Sequence, residues 1–292
     1  MDFVLLSFAV VTPMSASLGM AFVRREQALT HINVIRASLV ELYSAHSIWD
    51  WENVKKPGSG KRHCTTVDWL AHSDGVLYEM LTIEDELGRF LTLPNATRAR
   101  HRITSYGRHE AEELTRVSTQ LFDNLLWRMG RLSLYCEVLK REGLPGNEAS
   151  RMRQWERFIL EAMEGLRIIK FYRTPQALRS LCRLFSVFLP PFYAPFYAQL
   201  AMDLDSLGTA ITFSVMTSLA LTALFESLSQ MEDPFLSQQS LDGIDVPRET
   251  HLIGHELKLL RNQLFYRNAP PYQHDAQQQD EPDTNDIGPS KE

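Results

Sequence analysis

Three uncharged apolar stretches constrain this chain more than any other feature. Residues Phe3–Val23 carry no charge and end at Arg24-Arg25. Leu184–Met202 and Ser206–Phe225 are also uncharged and are separated only by Asp203, Leu204 and Asp205. At about 1.5 Å per helical residue, each is long enough to cross a hydrocarbon core ~30 Å thick. A backbone in lipid must satisfy its own polar groups, so such spans are expected to be helices. The chain therefore reads as an integral membrane protein, in contact with lipid along these spans.

Charge flanks orient the spans. Arg24-Arg25 follows the first, and Arg179 and Arg183 sit at the start of the second, which assigns those ends to the cytosol. Asp203 and Asp205 then fall in a short outer turn. The topology expected is N-terminus out, middle in, hairpin out, tail in. A secretory signal fits less well, because Met1-Asp2 is acidic where a basic region belongs, although Ser15-Ala16-Ser17 could mimic a cleavage site. Over 292 residues the mean hydropathy of −0.21 leaves room for a long polar middle. The net charge of −6 argues against a nucleic-acid partner. Cys64, Cys136 and Cys182 are odd in number and far apart, forming neither a disulfide framework nor a metal knuckle, and read as buried reduced thiols.

The polar middle has helical periodicity. Leu29, Ile32, Ile35, Leu39 and Leu42 predict that the first span continues as an amphipathic helix to Ile48. A basic loop, Lys55–Arg62, follows. Trp69, Leu70, Leu77, Leu81, Glu84 and Leu87 place a helix within Thr66–Leu93, broken by Pro94. Glu110–Glu142 is a long helix stopped by Gly143-Leu144-Pro145-Gly146. Asn147 or Ser150 can cap the next, which runs to about Tyr172. No alternating strand pattern is present. From Asn268 the tail is too polar to fold alone.

The first span is not a plain anchor. Phe8, Thr12, Ser15 and Gly19 follow at i, i+4, i+7 and i+11 on one helix face, with Pro13 beside them as a kink or loosened turn. Pro190, Pro191 and Pro195 punctuate the second span. Thr209, Thr212, Ser214, Thr217, Ser218 and Thr222 populate the third, a composition more often used for close helix packing than for a wet pore.

No catalytic constellation emerges, no cofactor motif is found and no enzyme is expected. His251 and His255, followed by Glu256, have zinc spacing but no third ligand and the wrong order for a metalloprotease helix. They read as a solvated face, and no metal site is expected. Gly58-Ser59-Gly60-Lys61 lacks a phosphate loop's other positions. Asp203-Leu204-Asp205 opens like a calcium loop without its closing Glu. The sequon at Asn95 falls on the cytosolic side.

The residues do resemble one family. Leu5–Thr12, continued to Arg24-Arg25-Glu26-Gln27-Ala28, resembles the second transmembrane helix of bestrophin-type anion channels. Thr174-Pro175-Gln176-Ala177-Leu178-Arg179 resembles the start of their third. Glu232-Asp233-Pro234-Phe235 resembles the Pro-Phe signature after their fourth, and Asp242 and Asp245 stand where a further acidic stretch follows. The resemblance implies a pentamer whose first spans line a central path for chloride or other small anions. Phe8, Thr12 and Ala16 are the positions nearest the family's pore neck, of which only Phe8 is bulky. Ser15 and Gly19 complete the pore-lining candidates. Glu232, Asp233, Pro234 and Phe235 are then a structural joint. The acids beyond it are scattered, as Asp233, Asp242, Asp245 and Glu249, so a calcium clasp is not expected. Members carry one more helix ahead of the pore helix, and this chain begins almost at that helix, as a truncated or reduced member would.

The fold expected is all-α: integral membrane helices continued by a cytosolic helical bundle. Residues 1–23 form the first span and 24–178 a cytosolic helical region. Residues 179–235 form the hairpin and joint, 236–267 a cytosolic segment, and 268–292 a disordered tail. The function expected is a bestrophin-like anion channel subunit. The competing readings are a non-conducting membrane-anchored helical scaffold or tether, and a soluble all-α protein with buried apolar runs.

Overall fold

The computed structural model describes residues 3–48, 67–94, 104–172, 176–231, 233–235, 243–266, 269–270 and 272, with the backbone alone at 3–10, 176 and 179. All regular structure among the described residues is helical. The helices are α1 (Phe3–Ile48), α2 (Trp69–Thr92), α3 (Ser105–Arg141), α4 (Gly146–Phe171), α5 (Gln176–Phe192), α6 (Ala194–Asp203), α7 (Leu207–Met231) and α8 (Val246–Leu259), the last ending in a π-helical turn, Leu260–Phe265. The basic loop at Lys55–Arg62, Cys64, Asn95, Glu232, Asp242 and the tail from Gln273 lie outside the described residues.

Helix α1 is 46 residues long and continuous through Pro13, so the first span and its amphipathic continuation are one rod. Helix starts and stops follow local chemistry. Asp68 Oδ1 accepts from the amides of Leu70 (3.0 Å) and Ala71 (3.3 Å), which caps α2. Thr104 Oγ1 accepts from the amide of Gly107 (2.9 Å) and caps α3 in the same way. At the end of α3, Gly143 adopts φ +96° while Leu144 N bonds Leu139 O and Gly143 N bonds Lys140 O, a Schellman closure that glycine permits. Helix α4 begins at Gly146, ahead of Asn147 and Ser150, with Ala149 N bonded to Pro145 O; neither expected residue is its cap.

The second apolar stretch is not one helix. It divides at Tyr193 into α5 and α6. Helix α5 has 17 residues and a length of roughly 25 Å. Helix α6 has 10 residues and a length of roughly 15 Å. Pro190, Pro191 and Pro195 cannot donate to the helical ladder, and Tyr193 N is shared between Leu189 O and Pro190 O. Among the described residues one helix, α7, is both long and apolar enough to cross a membrane, and the chain buries little of it.

The chain forms two compact units. The first comprises residues 1–33, 91–108 and 162–246. There α5, α6 and α7 pack on one another. Met14 and Ala21 of α1 join Cys182, Leu189, Tyr193, Tyr197, Ala210, Leu221 and Leu228 in a buried cluster. At Gly165 the backbone of α4 comes so close to His31 that a Cβ would sit 2.4 Å from its Nε2, so only glycine fits without movement.

The second unit, residues 34–90, 109–161 and 247–292, is a helical bundle around Leu39, Leu42, Leu77, Met80, Ile83, Leu132, Ile159, Ile253 and Leu257, all buried. Its interior also holds charge. Glu79, wholly buried, lies 3.2 Å from Arg128 Nη1 and 2.8 Å from Arg131 Nε, and both guanidinium groups lie over the Trp127 ring. Removing one member of a buried ion cluster strands the others, so Glu79→Leu should destabilise the protein by about 3–5 kcal/mol in denaturant titration.

Glu84 of α2 faces Gly254 of α8, where a Cβ would lie 2.7 Å from its Oε2. Burial first, then Asp85, pushes its carboxyl up to about 7, against an opposing pull from Lys258. Because the folded value exceeds the unfolded 4.5, this group favours folding while protonated and loses that contribution as pH rises through 7. Glu84→Gln should therefore raise the melting temperature at pH 8 and leave it nearly unchanged at pH 5.

Candidate functional site

Helix α1 has two opposite sides in the first unit. Met14, Ser17, Ala21 and Ala28 are buried, at spacings of three, seven and fourteen residues. Thr12, Ser15, Ala16 and Gly19 are all exposed. At 3.6 residues per turn the mean directions of the two sets differ by about 180°. The candidate stripe therefore points away from the chain's own packing. Around Gly19 a Cβ would meet nothing within 4 Å. Phe8 falls within α1, where the backbone alone is described. On the buried side Ser17 Oγ donates to Pro13 O (2.8 Å) and lies 3.9 Å from Cys182 Sγ.

Hydroxyls of α7 are satisfied within their own helix. Thr212 donates to Gly208 O (2.9 Å), Thr217 to Phe213 O (2.8 Å) and Thr222 to Ser218 O (2.8 Å), each within its own helix. Thr212 and Thr222 are exposed. Polar atoms satisfied inside the helix suit a surface that faces lipid. Leu207, Ile211, Phe213, Val215, Met216 and Leu219 are exposed around them.

The Pro-Phe segment is buried. Phe235 is 1% exposed and Asp233 9%. Asp233 Oδ1 accepts from the Phe235 amide at 3.3 Å. Ile244 N bonds Pro234 O at 2.7 Å. The first of these bonds closes a turn over Asp233–Phe235. Lys170, at the end of α4, holds the turn. Its ammonium donates to Leu91 O (2.7 Å), lies 3.7 Å from Asp233 Oδ2 and stands 5.6 Å above the Phe235 ring. Sequence reasoning missed Lys170. The available signal was its register: it continues the apolar stripe Ile159, Met163 and Leu166 by four residues, and a lysine on a core stripe needs buried partners. Nearby, Arg24 Nη2 donates to Ile169 O (2.6 Å).

The remaining candidates do not converge. His251 and His255 are exposed on α8, and neighbouring Glu256 instead ion-pairs with Arg36 of α1, 2.7 Å from its Nε. No metal-holding group of three His, Cys, Asp or Glu occurs among the described residues. Asp203 and Asp205 are exposed in the α6–α7 turn, where Asp205 takes a left-handed conformation, φ 45°. Cys136 and Cys182 are free and buried.

No protein-family model matches the sequence, and no curated protein matches it. The fold is nevertheless that of solved bestrophin structures. A zinc-phased crystal structure of a bacterial bestrophin homologue from Klebsiella pneumoniae superposes with a TM-score of 0.62 at 16% identity, covering 89% of this chain and 87% of that one. A single-substitution variant of that homologue gives 0.61 at 15% identity over 92% and 87%. A crystal structure described as a membrane protein gives 0.62 at 14% over 89% and 87%. The chain thus has an all-α, bestrophin-like fold, shared with solved membrane proteins.

Deleting a buried aromatic from such a turn has a readable consequence. Phe235→Ala should lower stability by about 3 kcal/mol or more, seen as a lower melting temperature in detergent.

Proposed function

We propose that this chain is a subunit of a bestrophin-type anion channel. Chloride or other small anions would pass along a path lined by the exposed face of α1, in a membrane crossed by its apolar helices. The observation that carries this reading is the two-sidedness of α1: the face bearing Thr12, Ser15, Ala16 and Gly19 is diametrically opposite the one the chain buries. The chain leaves the hydroxyls and small residues of that side uncovered, whereas Ser17, on the opposite side, is buried and bonded within its own helix. Several copies around an axis would turn those faces toward one another, and the fold's likeness to bestrophin structures favours a homo-oligomer, a pentamer by resemblance.

Conduction by such a path needs no catalytic group. A neutral wall of hydroxyls and small residues stabilises a partly dehydrated anion weakly, which lets it both enter and leave. Within the same reading, Asp233-Pro234-Phe235 is a structural joint that ties the end of the transmembrane hairpin to the cytosolic helices, with Lys170 as its inner clamp.

The test is cysteine labelling in oligomers reconstituted into vesicles. Thr12→Cys and Ser15→Cys should react with water-soluble thiol reagents and lose chloride flux, whereas Met14→Cys, on the buried side, should do neither. Chloride should permeate better than sodium. Equal labelling at all three positions, or no anion flux from folded oligomer, leaves the membrane-anchored scaffold as the function.

A further inference from the structure

Helices α1 to α4 contribute to a string of buried titratable groups in the second unit that the channel reading does not use. His72 Nε2 on α2 lies 3.1 Å from His46 Nδ1 in the last turn of α1. His46 Nε2 lies 3.7 Å from Cys136 Sγ on α3, and Cys136 Sγ lies 3.1 Å from Glu156 Oε1 on α4. The other Glu156 oxygen accepts from Ser133 Oγ (2.8 Å) and Arg153 Nη1 (2.8 Å). Exposure along the string is 7%, 1%, 1% and 4% from His72 to Glu156.

Counting protons gives the string one direction. An ionised Glu156 can only accept, so Cys136 donates its single S–H to it. His46 Nε2 then faces a sulfur with no proton left, and is the N–H of a neutral ring. Its Nδ1 is accordingly the acceptor, and His72 Nε2–H donates to it, which leaves a lone pair on His72 Nδ1. Every donor points toward Glu156.

The intermediate groups are poor resting places for charge. Burial lowers His46 to about 3, assisted by His72, and lowers His72 to about 4. Burial and Glu156 raise the Cys136 thiol, so it stays protonated. The surroundings are settled from each helix. On α1 and α2, Tyr43, Ser47 and Ser73 bond among themselves, and burial pushes Tyr43 up to about 12, so it stays neutral. Asp74 of α2 is held by Arg261 after α8, at 2.9 Å. On α2 and α3, the rings of Trp69 and Tyr135 meet His72 edge-on. On α3, Glu137 pairs with both Lys140 (2.7 Å) and Arg153 (2.8 Å).

We propose that this string is a proton relay: acid taken up at His72 is delivered to Glu156, neutralises its carboxylate and releases its ion pair with Arg153. In the transfer, a solvent proton binds His72 Nδ1. The His72 Nε2–H bond breaks as that proton binds His46 Nδ1; the His46 Nε2–H bond breaks as its proton binds Cys136 sulfur; and the S–H bond breaks as its proton binds Glu156 Oε1. One proton enters, both rings and the thiol end neutral, and Glu156 changes from carboxylate to carboxylic acid. Arg153 keeps Glu137 as its partner, so acid exchanges a two-carboxylate grip on the guanidinium for one. The device makes the contact between α3 and α4 sensitive to the pH around this unit.

The S–H stretch reports the acceptor of Cys136 in an infrared window free of other protein bands. The experiment uses the full chain in detergent, with Cys136→Ser subtracted to remove Cys64 and Cys182. From pH 7.5 to 4.5 the wild-type band should move to higher frequency, as the S–H exchanges its carboxylate acceptor at 3.1 Å for the neutral His46 Nε2 at 3.7 Å. Glu156→Gln should show a band that does not move with pH. After a rapid pH drop, His46→Phe should shift many times more slowly than wild type. A wild-type band that does not move over this range overturns the relay without reference to any variant. A pH-dependent shift that persists in Glu156→Gln, or one as fast in His46→Phe as in wild type, overturns it too.

Discussion

The rest of the structure depends on the requirement that α1 be solvated differently on its two sides. One side supplies Met14, Ala21 and Ala28 to the first unit's interior, and further on the same helix supplies Ile35, Leu39 and Leu42 to the second unit's core. The side opposite Met14 carries small and hydroxyl residues that the chain leaves uncovered. In folded proteins most helical stability comes from packing one face, so burial of one side fixes how this 46-residue helix is placed. What that burial leaves outside is the surface available for function.

Charge is placed inside both units, and in each case the ion is held by several partners. Lys170 has a carbonyl, a carboxylate and an aromatic face; Glu79 has two guanidinium groups; Glu156 has Arg153 and Ser133. Desolvating an isolated ion costs several kcal/mol, so such groups persist only where the geometry is specific. Replacing such ion clusters with apolar residues of the same volume is often neutral or stabilising. What they add is a single permitted arrangement of the segments they join, such as the turn at Asp233-Pro234-Phe235 against the end of α4.

At about 15% identity to the Klebsiella homologue, few residues are shared, yet the helical framework is retained over most of both chains. Helix lengths and turn positions are set by a small number of residues, while core positions accept many apolar combinations of similar volume. This is why the collinear Thr-Pro and Pro-Phe segments pointed to the fold although no family model does.

Amphipathic spacing, Gly143 at the end of α3 and Pro94 after α2 made the helical framework legible from sequence alone, because these signals act within one or two turns of the chain. The polar stripe of α1 and the Pro-Phe turn were legible for the same reason. The sequence did not reveal that the second apolar stretch breaks at Tyr193, since three prolines can either bend a helix or end it and packing selects which. Nor did it reveal Lys170 beneath Phe235, or His46, His72, Cys136 and Glu156 in one string. Those residues lie on different helices, separated by 20 to 90 positions for the contacts within the string, and no local period relates them. Local physics determined which segments are helices and which faces are apolar. Only tertiary packing decided which buried polar groups meet, because a charge or a proton donor is tolerated in an interior only where folding brings its partner within hydrogen-bond reach.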